Sequence, residues 1–186
     1  DQMLFNLPLA GSTFKKVYYD ELMQRAVSKF VPADDLVVPY TATSLDDCES
    51  IIHMVRMTEN ELRKQQVGGF YRDIEVNPSY LNETEAEKKE RALEGVSKGR
   101  DDRMFTILEC HVDVDLEGFE DVGQDGEPTG IKLPYIVTLE EGTRKILSIR
   151  RNYEIGDPIK KKINYFVHFK FLPGLGFYGF GLIHMI

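Results

Sequence analysis

The sharpest chemical candidate in the sequence is an acidic run, "DVDLEGFEDVGQ", over residues 113–124. Oxygen-bearing side chains stand at its first, third and fifth places (Asp113, Asp115 and Glu117) with Gly118 at the sixth. Calcium loops use that spacing because alternate side chains converge on a hard cation while glycine permits the sharp turn. The run departs from the pattern at its twelfth place, where Gln124 replaces the bidentate glutamate. A strand-like stretch leads into it, where the motif wants a helix. Asp113, Asp115, Glu117 and Asp121 are therefore the candidate metal ligands. The competing reading is a strand with an acidic outer face that runs into a solvated loop.

The other reactive residue types give weaker patterns. His53, His111, His168 and His184 each sit in a strand-like or apolar run, and no two show i,i+4 ligand spacing. Cys110 and His111 adjoin, but neighbouring strand residues point to opposite faces and form no dyad. No Gly-x-Ser-x-Gly elbow is present, so no catalytic residue is named. Lys160, Lys161 and Lys162 form a basic run that could touch phosphate; lysines at the start of a strand also guard an edge against aggregation. Gly174, Gly176, Gly179 and Gly181 lie among apolar residues without the Lys-Ser/Thr of a phosphate loop. They read as a turn where backbone passes close to backbone. No cofactor is implied.

The elements that carry these residues are mostly strands. Residues 14–19 and 25–31 form a hairpin around a polar turn at 20–24, and Pro32 ends it. Residues 36–40 are a short extended piece, and residues 50–57 a further strand. "TENE" at 58–61 is a capping box that starts a short helix through Gln66, closed by the Gly68-Gly69 pair. Residues 82–99 are almost wholly polar and read as an excursion outside the core. In the strand over 104–115, one face holds Phe105, Ile107, Glu109, His111, Asp113 and Asp115; the opposite face, from Thr106 to Leu116, is cleanly apolar apart from Thr106. Residues 131–139 and 145–150 make a second hairpin about a turn at 140–144, and 163–171 a last strand. Residues 182–186 look like the first turn of an apolar helix. The fold class is α+β, built of mainly antiparallel β hairpins with a few short helices.

Bulk properties narrow the function classes. The 186 residues are 42% hydrophobic, enough for one domain with its own core. No apolar run reaches the roughly 18–20 residues that span a bilayer, and no basic-then-apolar leader opens the chain. A net charge of −8 argues against a surface given over to nucleic acid. Two cysteines, Cys48 and Cys110, fit a reducing compartment better than a disulfide framework. Asp1 in place of an initiator Met and the abrupt close at Ile186 read as a fragment.

The closing segment "GFYGFGLIHMI" resembles the lead into the long stem helix of bacteriophage portal proteins, the head-to-tail connectors, in the large branch of short-tailed phages. "LPLAGSTFKKVYYDELMQRAVSKFVPADDLVVPYTA", "HMVRMTENELRKQQVGGFYRD", "ECHVDVDLEGFED", "GEPTGIKLPYIVTLE" and "ILSIRRNYE" are similar to successive pieces of one such portal, so the resemblance covers nearly the whole chain. Residues 82–100 are its least distinctive part. The resemblance implies a wing-like domain over 1–175 and the start of a truncated stem helix over 176–186, with Gly174, Gly176, Gly179 and Gly181 as the hinge between them. It further implies a structural, non-enzymatic role in a ring, usually dodecameric, at one capsid vertex through which DNA is packaged and ejected. Expected partners are other portal subunits, capsid and scaffolding proteins, terminase and tail or adaptor proteins through regions absent here, and DNA in the channel, with no membrane. The implied place is the virion, after assembly in the bacterial cytoplasm. An acidic wing would repel DNA and keep it from adhering. The alternatives are a calcium- or ligand-binding β-rich module using residues 113–124, and a hydrolase using acid pairs, for which the spacing offers nothing beyond an abundance of acids.

Overall fold

A computed structural model describes residues 2–20, 24–76, 89, 92–93, 104–123 and 125–185. The polar excursion at 82–99 (but for three residues), Gln124, Ile186 and most of the 20–24 turn lie outside the described residues. The chain is α+β with two antiparallel sheets. One has the strand order β2-β1-β8 and the other β3-β4-β5-β6-β7. The strands are β1 (Ser12–Asp20), β2 (Arg25–Val31), β3 (Leu36–Val37), β4 (Ser50–Thr58), β5 (Met104–Val114), β6 (Leu133–Glu140), β7 (Ile146–Arg151) and β8 (Phe166–Lys170). Helix α1 spans Gln2–Ala10 and α2 spans Glu59–Val67; single 3₁₀ turns cover Ala33–Asp35 and Leu182–Met185. The contacts divide the chain into two compact units.

The first unit comprises Asp1–His53, Cys110–Ile136 and Arg150–Ile186. Its three-stranded sheet is set by register. Phe14 stands opposite Val31 on one side and opposite His168 on the other. Residues directly opposite share a face, so these three point together into the core. Phe14, Val31, Leu36, Ile51, Phe166 and Phe177 are buried there with Ala42 and Cys48. β8 begins at Phe166, three residues later than the composition suggests. The Asn164 side chain accepts the Phe166 N–H at 3.0 Å, and Ile163 donates instead to the Asn152 carbonyl at 3.0 Å. A local side-chain bond of this kind competes with the ladder. The three lysines at 160–162 therefore lie in a loop and not at the start of a strand.

The second unit comprises Met54–Glu109 and Val137–Ile149. Its helix forms as the local sequence demands. Thr58 Oγ1 accepts the Glu61 N–H at 3.3 Å, and the Glu61 carboxylate accepts the Thr58 N–H at 2.9 Å. At the other end Gly69 takes φ +72°. Phe70 N–H then reaches the Gln65 carbonyl at 2.9 Å and Gly69 N–H the Gln66 carbonyl at 3.0 Å. That paired closure is a Schellman cap, which satisfies two orphan carbonyls. Leu62 is the buried residue of the helix and packs with Tyr71, Phe105, Ile107 and Leu147. The β6–β7 turn is held by Glu140, whose carboxylate accepts the N–H groups of Gly142 at 2.7 Å and Thr143 at 2.6 Å.

β5 reverses the impression left by its composition. The cleanly apolar even face is mostly half-buried, with Thr106 its one buried member. The odd face supplies Phe105, Ile107 and His111, each at most 3% exposed. Phe105 and Ile107 meet the α2 core of their unit. His111 is enclosed by the rings of Tyr165 and Phe166, 5.7 and 5.2 Å away. Rings from distant segments bury a polar residue that composition alone would leave in water.

Candidate functional site

The apolar C-terminal segment folds back on itself and then crosses the junction of α1 and β1. Leu172 and Phe180 exchange backbone hydrogen bonds at 3.2 and 2.9 Å, closing a loop over 172–180. Phe171 N–H donates to the Gly11 carbonyl at 3.0 Å. At this crossing three glycines meet. A Cβ on Gly179 would lie 2.6 Å from the carbonyl oxygens of Gly11 and Leu172, and one on Gly181 would lie 2.7 Å from the Gly11 nitrogen. Gly11 itself has φ +80°, a conformation that side chains resist. Within the loop, a Cβ on Gly174 would overlap the Tyr178 carbonyl, whereas one on Gly176 would meet open space. Of the four glycines singled out in the sequence, three are where backbone touches backbone. Gly11, the partner of Gly179 and Gly181, carries no local signal of that role.

A hydroxyl and an imidazole lock the crossing. Gly179 N–H donates to Ser12 Oγ at 2.8 Å. Ser12 Oγ lies 3.1 Å from His168 Nε2. The hydroxyl accepts from Gly179 and keeps one proton and one lone pair for the ring nitrogen, so the direction of the Ser12–His168 bond is set by the imidazole tautomer. The ring stacks between Phe14 and Phe177, with centroids 4.4 and 4.8 Å away. Burial, with a smaller contribution from Lys170, lowers the His168 pKa to about 4. The neutral ring is thus the working form of the lock. A serine within hydrogen-bond distance of a histidine is also the start of a nucleophilic dyad. Here the serine is 1% exposed, lies under the Gly179 amide and is committed at both ends. The pair is separated by 156 residues and escaped sequence reasoning for that reason.

Two of the remaining histidines share a neighbour, and the third lies at the C-terminal turn. His53 and His111 both meet the Phe166 ring. His184 Nδ1 accepts the Gly181 N–H at 3.0 Å, which closes the last 3₁₀ turn onto the crossing.

Two sets of candidates named from sequence meet one another. The Asp121 carboxylate pairs with the Lys160 ammonium and accepts the Thr129 hydroxyl at 2.7 Å. Lys160, more than any other group, holds the Asp121 carboxyl below its ordinary pKa. The loop is closed by Thr129 N–H on the Asp121 carbonyl at 2.8 Å and Gly123 N–H on the Glu127 carbonyl at 2.9 Å. Asp121 is therefore spent on a cation of the chain itself. Asp113, Asp115 and Glu117 are exposed at alternate positions leading into the loop. Among the described residues no three His, Cys, Asp or Glu side chains are grouped to hold a metal ion. The lysines diverge in the same way. Lys160 is paired, Lys162 Nζ donates to the Cys48 carbonyl at 3.2 Å, and Lys161 is exposed. The sequence run is not a cluster in space. Cys48 is buried, and burial followed by the nearby Asp47 raises its thiol pKa, which keeps it protonated and inert.

In the second unit a cavity of about 270 Å³ is lined by Leu62, Arg63, Gln66, Asp73, Ile74 and Phe105, among others. Arg63 pairs with Asp73, and Gln66 Nε2 donates to the Ile74 carbonyl at 2.8 Å. With the Arg63 bond to the Gln66 side chain, these tie together three of its polar side chains, Arg63, Gln66 and Asp73.

The largest chemical contrast on the first unit is apolar. α1 has no charged residue and no buried one. Leu4 and Phe5 are 73% and 71% exposed. The Leu182–Met185 turn packs against this helix and leaves Ile183 and Met185 exposed. Sequence reasoning treated 182–186 alone and missed α1 as its neighbour. Among the described residues no helix is long and apolar enough to cross a membrane. Against known proteins, the sequence matches no family model and no curated protein.

Proposed function

We propose that the chain is a wing-like part of a portal protein, the ring-forming connector at one capsid vertex of a tailed phage, through which DNA is packaged and ejected. The observation that carries this reading is the uncharged apolar surface of α1 and the Leu182–Met185 turn on a chain of net charge −8. Contiguous exposed apolar surface marks a place where protein meets protein. It sits where the glycine crossing fastens the C-terminal segment, the stretch that most resembles the lead into a portal stem helix. In this reading the crossing holds that lead at a fixed place on the sheet, so that a helix beyond it packs against neighbouring subunits. The side chains on which a reaction would depend have structural duties: Ser12 and His168 lock the crossing, and Asp121 and Lys160 pin a loop. The role is assembly and not turnover. Its partners are portal subunits, capsid and scaffolding proteins, and, through other regions, terminase, tail proteins and passing DNA.

Electron microscopy of the intact protein containing this sequence tests the reading. Closed rings are expected; a monodisperse monomer contradicts it. A rise in melting temperature with added calcium would favour the alternative of an ion-binding module, because a ligand bound only by the native state stabilises it.

A further inference from the structure

A second surface lies on β1 and β2 and is independent of the portal reading. In the order β2-β1-β8, β2 is an edge among the described residues. Val17 N–H donates toward β8, to the Tyr165 carbonyl at 2.7 Å. The odd residues of β1 therefore bond to the β8 side and the even ones to β2. Through the register, Arg25, Val27, Lys29 and Val31 are the residues of β2 that bond to β1. The N–H and C=O groups of Ala26, Ser28 and Phe30 face outward from the edge. Such a row is a template for a further strand.

Charge selects what it takes. Residues 12–31 hold four cations (Lys15, Lys16, Arg25 and Lys29) and two acids, in a chain whose net charge is −8. Lys16 and Lys29 stand directly opposite, and both ammonium groups lie 5.7 Å from the centroid of the Tyr18 ring. Both ammonium groups stand on one face beside the open edge, so a carboxylate arriving there meets positive charge from two strands. Arg25 is on the same face at the far end, opposite Asp20. The geometry points to an extended acidic segment of a partner protein that adds to the β2 edge as a fourth strand. Acids four residues apart would fall opposite Arg25 and Lys29, with an apolar residue between them opposite Val27. A nucleic acid has no amide ladder to offer the edge, and its phosphates would meet few cations and a net negative chain.

The test is a fluorescence-anisotropy titration of the whole chain with a labelled peptide of Asp-x-Val-x-Asp spacing. Oligothymidylate and a Lys-x-Val-x-Lys peptide serve as competitors. The acidic peptide is expected to bind, more weakly as salt rises, and to slow amide exchange at Ser28. Ser28→Pro removes an outward N–H and leaves the β1 ladder in place; it should weaken binding by about tenfold or more. Should that variant misfold, Lys29→Glu carries the test: it should lose the acidic peptide and gain the lysine one. The proposal is overturned if the acidic peptide does not bind, if binding survives Ser28→Pro in a folded protein, if Lys29→Glu leaves peptide preference unchanged, or if oligothymidylate binds as tightly.

Discussion

The α2 cap and the glycine crossing solve the same problem, a chain segment that must be fixed in place, by opposite means. α2 is fixed by neighbours in sequence: Thr58 and Glu61 at one end, Gln65, Gln66, Gly69 and Phe70 at the other. The crossing is fixed by residues at opposite ends of the chain, Gly11 and Ser12 against Gly179 and Gly181. Local fastening spreads its energy over several modest hydrogen bonds, side-chain at the start of the helix and backbone at its end. The crossing concentrates it in backbone contacts that admit no Cβ, so single substitutions there should act far more strongly.

The largest effect is expected at Gly181. Gly181→Val places side-chain atoms against the Gly11 backbone and should cost about 3 kcal/mol or more. For a chain of this size that is a fall in melting temperature of very roughly 6–12 °C. Gly176→Ala, which meets open space, should leave stability within about 0.5 kcal/mol of wild type. Equal effects at the two glycines in chemical denaturation would break the comparison. Ser12→Ala comes next. It strips the buried Gly179 N–H of its acceptor and should cost about 1–3 kcal/mol, read by the same method. Thr58→Ala removes the helix cap and should cost about 1 kcal/mol, with faster amide exchange confined to α2 if the fastening is local.

The remaining effect is a dependence on pH. His168 is held at about 4 in the folded chain against an ordinary value of 6.5. Between those values the unfolded chain binds the proton and the folded one does not, so stability falls as pH drops through this window. Above 6.5 the contribution is complete, and below about 4 no more is lost. His168→Gln should flatten melting temperature against pH across the window. The Asp47 carboxyl, lowered to about 2 chiefly by its hydrogen bond from Thr43, titrates below that window. An unchanged slope in His168→Gln would place the titration elsewhere.

Legibility in the sequence follows the same divide. The capping box, the Gly-Gly closure and both hairpins could be read because their interactions span a few residues. The glycines at 174, 179 and 181 announced a close approach, but nothing near Gly179 and Gly181 identifies Gly11 as what they approach. Asp121 and Lys160 each invited a ligand when read alone; 39 residues apart, they are each other's partner. The buried face of β5 was obscured because Tyr165 and Phe166, remote in sequence, decide that His111 is inside. Periodicity reports what a residue prefers, while register and crossing report what it is given.

One measurement addresses both the crossing and assembly: particle images of the intact protein as wild type, Gly176→Ala and Gly181→Val. Closed rings are expected for the first two, with rings lost or sharply reduced for Gly181→Val. Absence of rings from the wild type, or undiminished rings from Gly181→Val, would contradict a role of the crossing in assembly.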